Sequence, residues 1–409
     1  MRNFSYIKCI TSIFLFLLLS QNVIAQKRIY IPDSLKNINL NDSSSRWSWY
    51  RSAQTEDLVF FWEKGFGDDW RNPPKLEGQT MGFDLDNLKE RVQFFYRYFQ
   101  DSLKFSLPGS KCDRYKMMVM INYSLDGTAY GGTYDNFIGA LWVSPNRLQD
   151  SRQNTLAHEL GHSFQLQIPA DSVGDAWGGS GFFEMTSQWM LWHVNPNWVS
   201  DESYHLEAFK KLTHKAYLSI DNIYHSPYVL EYWSEKHGLP FIAELYRHGR
   251  KDEDPVMTYQ RLTGISQRTF NDEMMDCYRR LLNFDFKHAY RETRPYACTF
   301  STRLDSVAKD RWVIPKDLAP EPYGFNAIKL TKPSHGKEPK VKVKRLTPNN
   351  GCKLKYMLVS QADCWYLLVM NAPKIHQQLP HPDTNNTAAK PAIPTIEYEV
   401  KLKNAWIMQ

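Results

Sequence analysis

The stretch NTLAHELGHSFQLQI, residues 154–168, constrains the fold more than any other part of the chain. Apolar residues recur through it at helical spacing, and His158 and His162 stand four positions apart. On a helix both imidazoles therefore share one face. Glu159 is turned about 100° around the axis from His158, beside that face rather than on it. Two imidazoles one turn apart reach a single zinc ion, and a glutamate beside them is placed to take a proton from a water. A catalytic zinc needs a third protein ligand, so this helix must pack against another element that supplies one. Thr155, Ala157 and Gly161 are small and let that element come close.

The candidate third ligand is Glu184, in GFFEMTSQW on the predicted helix Gly181–Val194, which follows the glycine-rich loop GDAWGGSG. A carboxylate among Phe182, Phe183, Met185 and Trp189 is costly to bury unless it is paired or ligates a metal. Gln188, four residues on, shares its face and is placed to accept a hydrogen bond from the far nitrogen of a ligand histidine.

Periodicity divides the rest of the chain. Residues 57–63, 115–122 and 137–145 are short apolar runs that read as strands. Asp84 caps a helix whose apolar stripe is Leu88, Val92, Phe95, Phe99 and Leu103. DGTAYGGTYDN reads as a glycine-rich turn; it lacks the lysine and following helix of a phosphate loop. From Asn154 to about Leu282 the pattern is helical. After residue 300 alternating runs return (YGFNAIKLT, KVKVKRLTP, KLKYMLVSQ, CWYLLVMNAP and IEYEVKLKN), and residues 373–394 read as a proline-rich surface loop. The expected fold is α+β: an N-terminal sheet and a helical half carrying the histidines (56–298), then a small β-sandwich-like domain (299–409). Residues 26–55, rich in serine, read as a loose N-terminal segment.

Residues 1–25 carry Arg2 and Lys8, the apolar run Ile10–Ser20 and a small-residue site at Val23–Ala25, the pattern of a secretory signal peptide. No later run is long enough to span a bilayer. The protein is therefore expected to be exported, whether periplasmic, extracellular or surface-associated, with no stable membrane span after cleavage. Of the five remaining cysteines, Cys277 with Cys298 and Cys352 with Cys364 are near enough in sequence to pair. The net charge of +6 on 409 residues is a mild excess, and Lys340–Leu346 alternates like an exposed strand, so no nucleic-acid partner is expected. No G-x-S-x-G supports a serine hydrolase. Thirteen tryptophans are many, and Trp142 and Trp177 lie near the histidines in sequence, which suggests a glycan as a possible ligand.

HExxH followed by a glutamate on a second helix resembles the gluzincin zinc metallopeptidases, matched here at His158, Glu159, His162 and Glu184. The wider layout is similar to an uncharacterised family of secreted bacterial gluzincin-like proteins, through GALWVSP, HELGH, YVLEYWSEKHG and LLVMNAP. The resemblance implies a zincin-like catalytic domain, Zn2+ held by His158, His162 and Glu184, and Glu159 as general base. It implies that the strand before the helix, Phe137–Val143, holds an extended peptide or glycopeptide substrate. It also implies a downstream tyrosine or histidine that stabilises the oxyanion, with Tyr224 and His225 as candidates and Tyr228 and His248 behind them. Many gluzincins have an aspartate where this chain has Gln188. The alternative is a glycan- or peptide-binding protein on a catalytically weak or inactive peptidase scaffold.

Overall fold

A computed structural model describes residues 26–178, 180–331, 337–362, 364–378 and 393–408; the expected signal peptide lies outside them, as does most of the proline-rich loop. The fold is mixed α+β. Its first sheet is built from β1 (Ser52–Gln54), β2 (Leu58–Trp62), β3 (Met117–Ile121), β4 (Ala129–Tyr134) and β5 (Ile138–Val143), in the order β1-β2-β3-β5-β4. β2, β3 and β5 run parallel, and β1 and β4 are antiparallel edges. β2 and β3 are buried along their whole length, as expected for central strands covered on both faces. The connection between them carries α1 (Leu85–Arg97), whose first turn is capped by the Asp84 carboxylate accepting from the Asp86 and Asn87 amides.

Three expectations change here. DGTAYGGTYDN is not a turn: most of it is β4, the edge strand, joined to β5 through Asp135 and Asn136, both in the left-handed region at φ 53° and 48°. β5 consequently has a partner on each side, β3 and β4, and its backbone is not free to hold a substrate. Residues 26–51, for their part, are packed rather than loose. Leu35, Leu40 and Trp47 close the outer face of the sheet against Val59, Phe61, Met118, Met120 and Ala140. Lys27 is ion-paired to the buried Asp57 at 2.5 Å.

The inner face of the sheet is covered by α2 (Asn154–Ala170), which packs in turn on α3 (Gly181–Val194). Seven further helices complete the helical half: α4 (Trp198–Asp201), α5 (Ser203–Leu212), α6 (Tyr228–His237), α7 (Phe241–His248), α8 (Pro255–Thr263), α9 (Gln267–Leu281) and α10 (Tyr290–Thr293). No helix among the described residues is long and apolar enough to cross a membrane.

The C-terminal part contains β6 (Asp305–Ala308), β7 (Arg311–Val313), β8 (Phe325–Leu330), β9 (Lys340–Arg345), β10 (Cys352–Ser360), β11 (Trp365–Pro373) and β12 (Tyr398–Lys403). They form an antiparallel three-stranded sheet, β10-β11-β8, and an antiparallel four-stranded sheet, β6-β7-β12-β9. The two share a core of Ile328, Leu330, Leu367, Val369, Trp312, Val400 and Leu402. The other face of the three-stranded sheet joins the main core: Phe325 stacks on Tyr278 of α9 at 4.1 Å between centroids, and Phe300 meets Phe284. The core is thus continuous across the expected boundary at residue 298.

Neither cysteine pairing forms. Cys352 sits opposite Pro373 at one end of the β10–β11 hairpin, whereas Cys364 directly precedes Trp365 at the other end. Nine-residue strands separate those ends by about 27 Å. Cys277 is buried against the Tyr228 carbonyl, while Cys298 lies beside Asn283.

Candidate metal centre

α2 is buried on nearly every side because it is sandwiched between the sheet and α3. Two glycines set its position. A Cβ on Gly131 of β4 would stand 1.8 Å from the Glu159 carbonyl oxygen, and one on Gly161 would stand 2.7 Å from Ser187 Oγ of α3. The edge strand and α3 therefore both approach α2 more closely than an alanine permits. Ser163 Oγ donates to the Ala140 carbonyl, and the Gly139 amide donates to Gln167, fixing α2 lengthwise on β5.

This packing brings His158, His162 and Glu184 together. The two Nε2 atoms are 3.0 Å apart, and Glu184 Oε2 is 3.2 Å from that of His158 and 3.1 Å from that of His162. They are the only set of three or more histidine, cysteine or acidic groups among the described residues with donor atoms this close, all within 4.8 Å. Glu184 lies in the first turn of α3, whose N-terminal end favours a carboxylate.

The outer nitrogens decide what the inner ones present. His158 Nδ1 is 2.9 Å from Gln188 Oε1, and the Gln188 amide nitrogen donates to the Tyr224 carbonyl, which fixes the amide's orientation. His162 Nδ1 is 2.8 Å from Gln165 Oε1, and Gln165 Nε2 donates to the Phe183 carbonyl and to Tyr246 Oη. Each Nδ1 thus donates its proton outward to a glutamine oxygen, and in the tautomer with that single proton the Nε2 lone pair turns inward. Phe183 stacks on His162 at 4.2 Å and holds its plane. Two lone pairs and a carboxylate converge with no donor among them. That is an arrangement for a cation, and imidazole with carboxylate suits zinc.

Glu159 faces the cleft beside the triad and accepts from the Gly131 amide at 2.8 Å. The cleft, about 380 Å³, is lined by His158, Glu159, Gln188, Tyr224, Glu202 and Arg147 among others. Tyr224 is half exposed there, its ring 6.0 Å from that of His158. Burial, the nearby charges of Glu184 and Glu159 and a Glu184 hydrogen bond raise its pKa, so the phenol keeps its proton at neutral pH and remains a donor.

The other candidates lie elsewhere. His225 turns away from the triad, with Nδ1 2.7 Å from His205 Nδ1; burial and the His205 charge bring its pKa down to about 4. Tyr228 is fully buried in the core. His248 is at the surface, 3.5 Å from Glu244. Trp177 is a core residue whose indole N–H donates to the Glu253 carbonyl, so it offers no face to a sugar. Trp142 is half-buried on the outer side of the sheet, between Tyr134 and Tyr130. Sequence reasoning missed β4, Gln165 and Ser187. The Asp135-Asn136 pair, two residue types that tolerate the left-handed region, was the available signal for the turn before β5.

The chain belongs to a family described as a family of unknown function (DUF6055), whose model matches residues 21–356. No curated protein and no solved structure matches it.

Proposed function

We propose that this DUF6055 member is an exported zinc-dependent peptidase with a zincin-like catalytic domain, acting on peptides or glycopeptides. The observation that carries the reading is the inward convergence of two imidazole lone pairs and one carboxylate next to a glutamate that has no part in that set. His158, His162 and Glu184 would hold the ion. When bound, it supplies Lewis-acid polarisation of the scissile carbonyl and of the attacking water. Three protein ligands fit a catalytic site, which keeps a position open, better than a structural one, which is closed by four.

The remaining work falls to the chain itself. Glu159 takes the proton of the attacking water and returns it to the leaving nitrogen. The Gly131 amide keeps that carboxylate at the rim of the cleft. Tyr224, as a protonated phenol, donates to the carbonyl oxygen as negative charge develops there. β4 is the sheet edge beside α2; its Gly131 amide is taken by Glu159, and the other outer backbone groups of the strand would pair with an extended substrate, the role that β5 cannot fill.

A second reading, glycan binding on a catalytically weak scaffold, draws on one observation: Tyr130 of the edge strand, 58% exposed, stands against Trp142 of β5. The two readings part in a peptide-library digest. The peptidase reading expects cleavage that chelation abolishes and that Glu159→Gln reduces by on the order of 10²–10⁴. Cleavage at full rate in Glu159→Gln would overturn the assigned base. No cleavage of any library member, together with glycan binding that survives chelation, would favour the second reading.

A further inference from the structure

The four-stranded sheet carries a surface that the proposed peptidase site does not use. In β9 and β12 the residues Val341, Val343, Val400 and Leu402 point into the shared core, so Lys340, Lys342, Lys344, Lys401 and Lys403 stand on the outer face, all exposed. The register sets them in ranks. Lys403 is directly opposite Lys340, and Lys401 is directly opposite Lys342 on one side and Arg311 of β7 on the other. Cross-strand neighbours are about 5 Å apart and same-face residues along a strand about 7 Å apart, so like charges here repel and cost stability.

Relief on the sheet is partial: Glu399, on the same face, stands directly opposite Lys344. Lys401 reaches Asp310 at 3.1 Å and Arg311 reaches Glu399 at 3.6 Å; among the described residues Lys340, Lys342, Lys344 and Lys403 form no ion pair. Lysines on an edge strand are explained by protection against edge pairing, and β9 is an edge. That explanation does not reach Lys401, where β12 is paired on both sides. The charge is also concentrated in this part of the chain. Residues 299–409 hold 17 basic and 9 acidic residues, net +8, whereas residues 26–298 hold 31 and 35, net −4.

We infer that this lysine face docks the protein on an anionic phospholipid bilayer. The face reads charge alone: its strands' aromatic residues, Trp312 and Tyr398, are turned into the core, so nothing on it stacks on a base or a sugar ring. Lysines act as point charges, without the planar fork that arginine brings to specific recognition. A broad sheet face with six cations matches a broad field of phosphates, and each lysine near such a surface contributes about 1 kcal/mol.

The test is co-sedimentation of the chain from Gln26 onward with vesicles of phosphatidylcholine alone or with one-third phosphatidylglycerol. Binding should require phosphatidylglycerol and fall with added salt. Replacing Lys340, Lys342, Lys401 and Lys403 together by glutamine should weaken partitioning by on the order of 10² or more. The same variant should unfold at the parental temperature or above, since it removes repulsion. Equal binding to both vesicle types, or unchanged binding by the quadruple variant, would overturn the proposal. So would lysine-dependent capture by an immobilised acidic polysaccharide with no binding to either vesicle.

Discussion

Gln165 and Gln188 determine which nitrogen of each histidine faces the cleft, and so what the triad attracts. Removing one of these acceptors leaves the ring free to turn and to protonate inward. Gln188→Ala is expected to weaken zinc affinity about 10–100-fold without unfolding the protein, measured by competition with a chelating dye. Tyr224→Phe is expected to lower kcat by on the order of 10² with little change in KM, because its hydroxyl is assigned to the transition state. A matching rise in KM at unchanged kcat would instead make Tyr224 a substrate-positioning group. The convergence of His158, His162 and Glu184 was legible from the sequence, since helical spacing alone aligns the histidines and a buried carboxylate needs a partner. His225 was not placed correctly. Its neighbour Tyr224 fills the cleft, and a residue one position along a turn points elsewhere, here to His205.

At the scale of elements, the edge strand and α2 are locked by Gly131. Gly131→Ala puts a methyl into the Glu159 carbonyl, so α2 must move or β4 must bend away. The expected cost is about 1–3 kcal/mol, read as a lowered melting temperature, with activity falling further than stability because Glu159 moves too. Full activity in this variant would mean that β4 does not set the position of Glu159. β4 escaped the sequence reading because glycines are depleted in strands, so a run of AYGGTY reads as a turn. The reason for Gly131 is not local: it marks close approach by a helix twenty-eight residues away, whereas Gly132 makes room for the rings of Tyr130 and Trp142. Most other elements were legible from period alone. Strands β2 and β3 and helices α1 and α3 rest on their own hydrophobic pattern, whereas which strand lies at an edge depends on pairing that no single segment records.

Over the whole molecule, the helical half contains a buried polar cluster that makes stability depend on pH. His193 Nε2 is 2.8 Å from Glu231 Oε2, Trp189 Nε1 donates to the same oxygen at 2.9 Å, and His288 stacks on His193 at 4.0 Å. Burial and the facing His193 bring the His288 pKa from 6.5 down to about 4. Burial would raise that of Glu231, but the His193 hydrogen bond and charge outweigh it and hold it below 4.5. Both depressed groups act in one direction. Their contribution is complete above the ordinary value and is lost as pH falls through the folded one. The melting temperature is therefore expected to fall from about pH 6.5 toward pH 4, and to fall less in His288→Phe. An identical slope in that variant would remove His288 from the account. The continuous core across residue 298 predicts a single unfolding transition for the chain rather than two.

The central claim is that His158, His162 and Glu184 bind zinc as one site with Glu159 outside it. Zinc content by elemental mass spectrometry, measured together on the parent, Glu184→Ala and Glu159→Gln proteins, tests it most directly. The account predicts about one equivalent in the parent and in Glu159→Gln, and loss in Glu184→Ala. No zinc in the folded parent after zinc is supplied at neutral pH, or full zinc in Glu184→Ala, would contradict it.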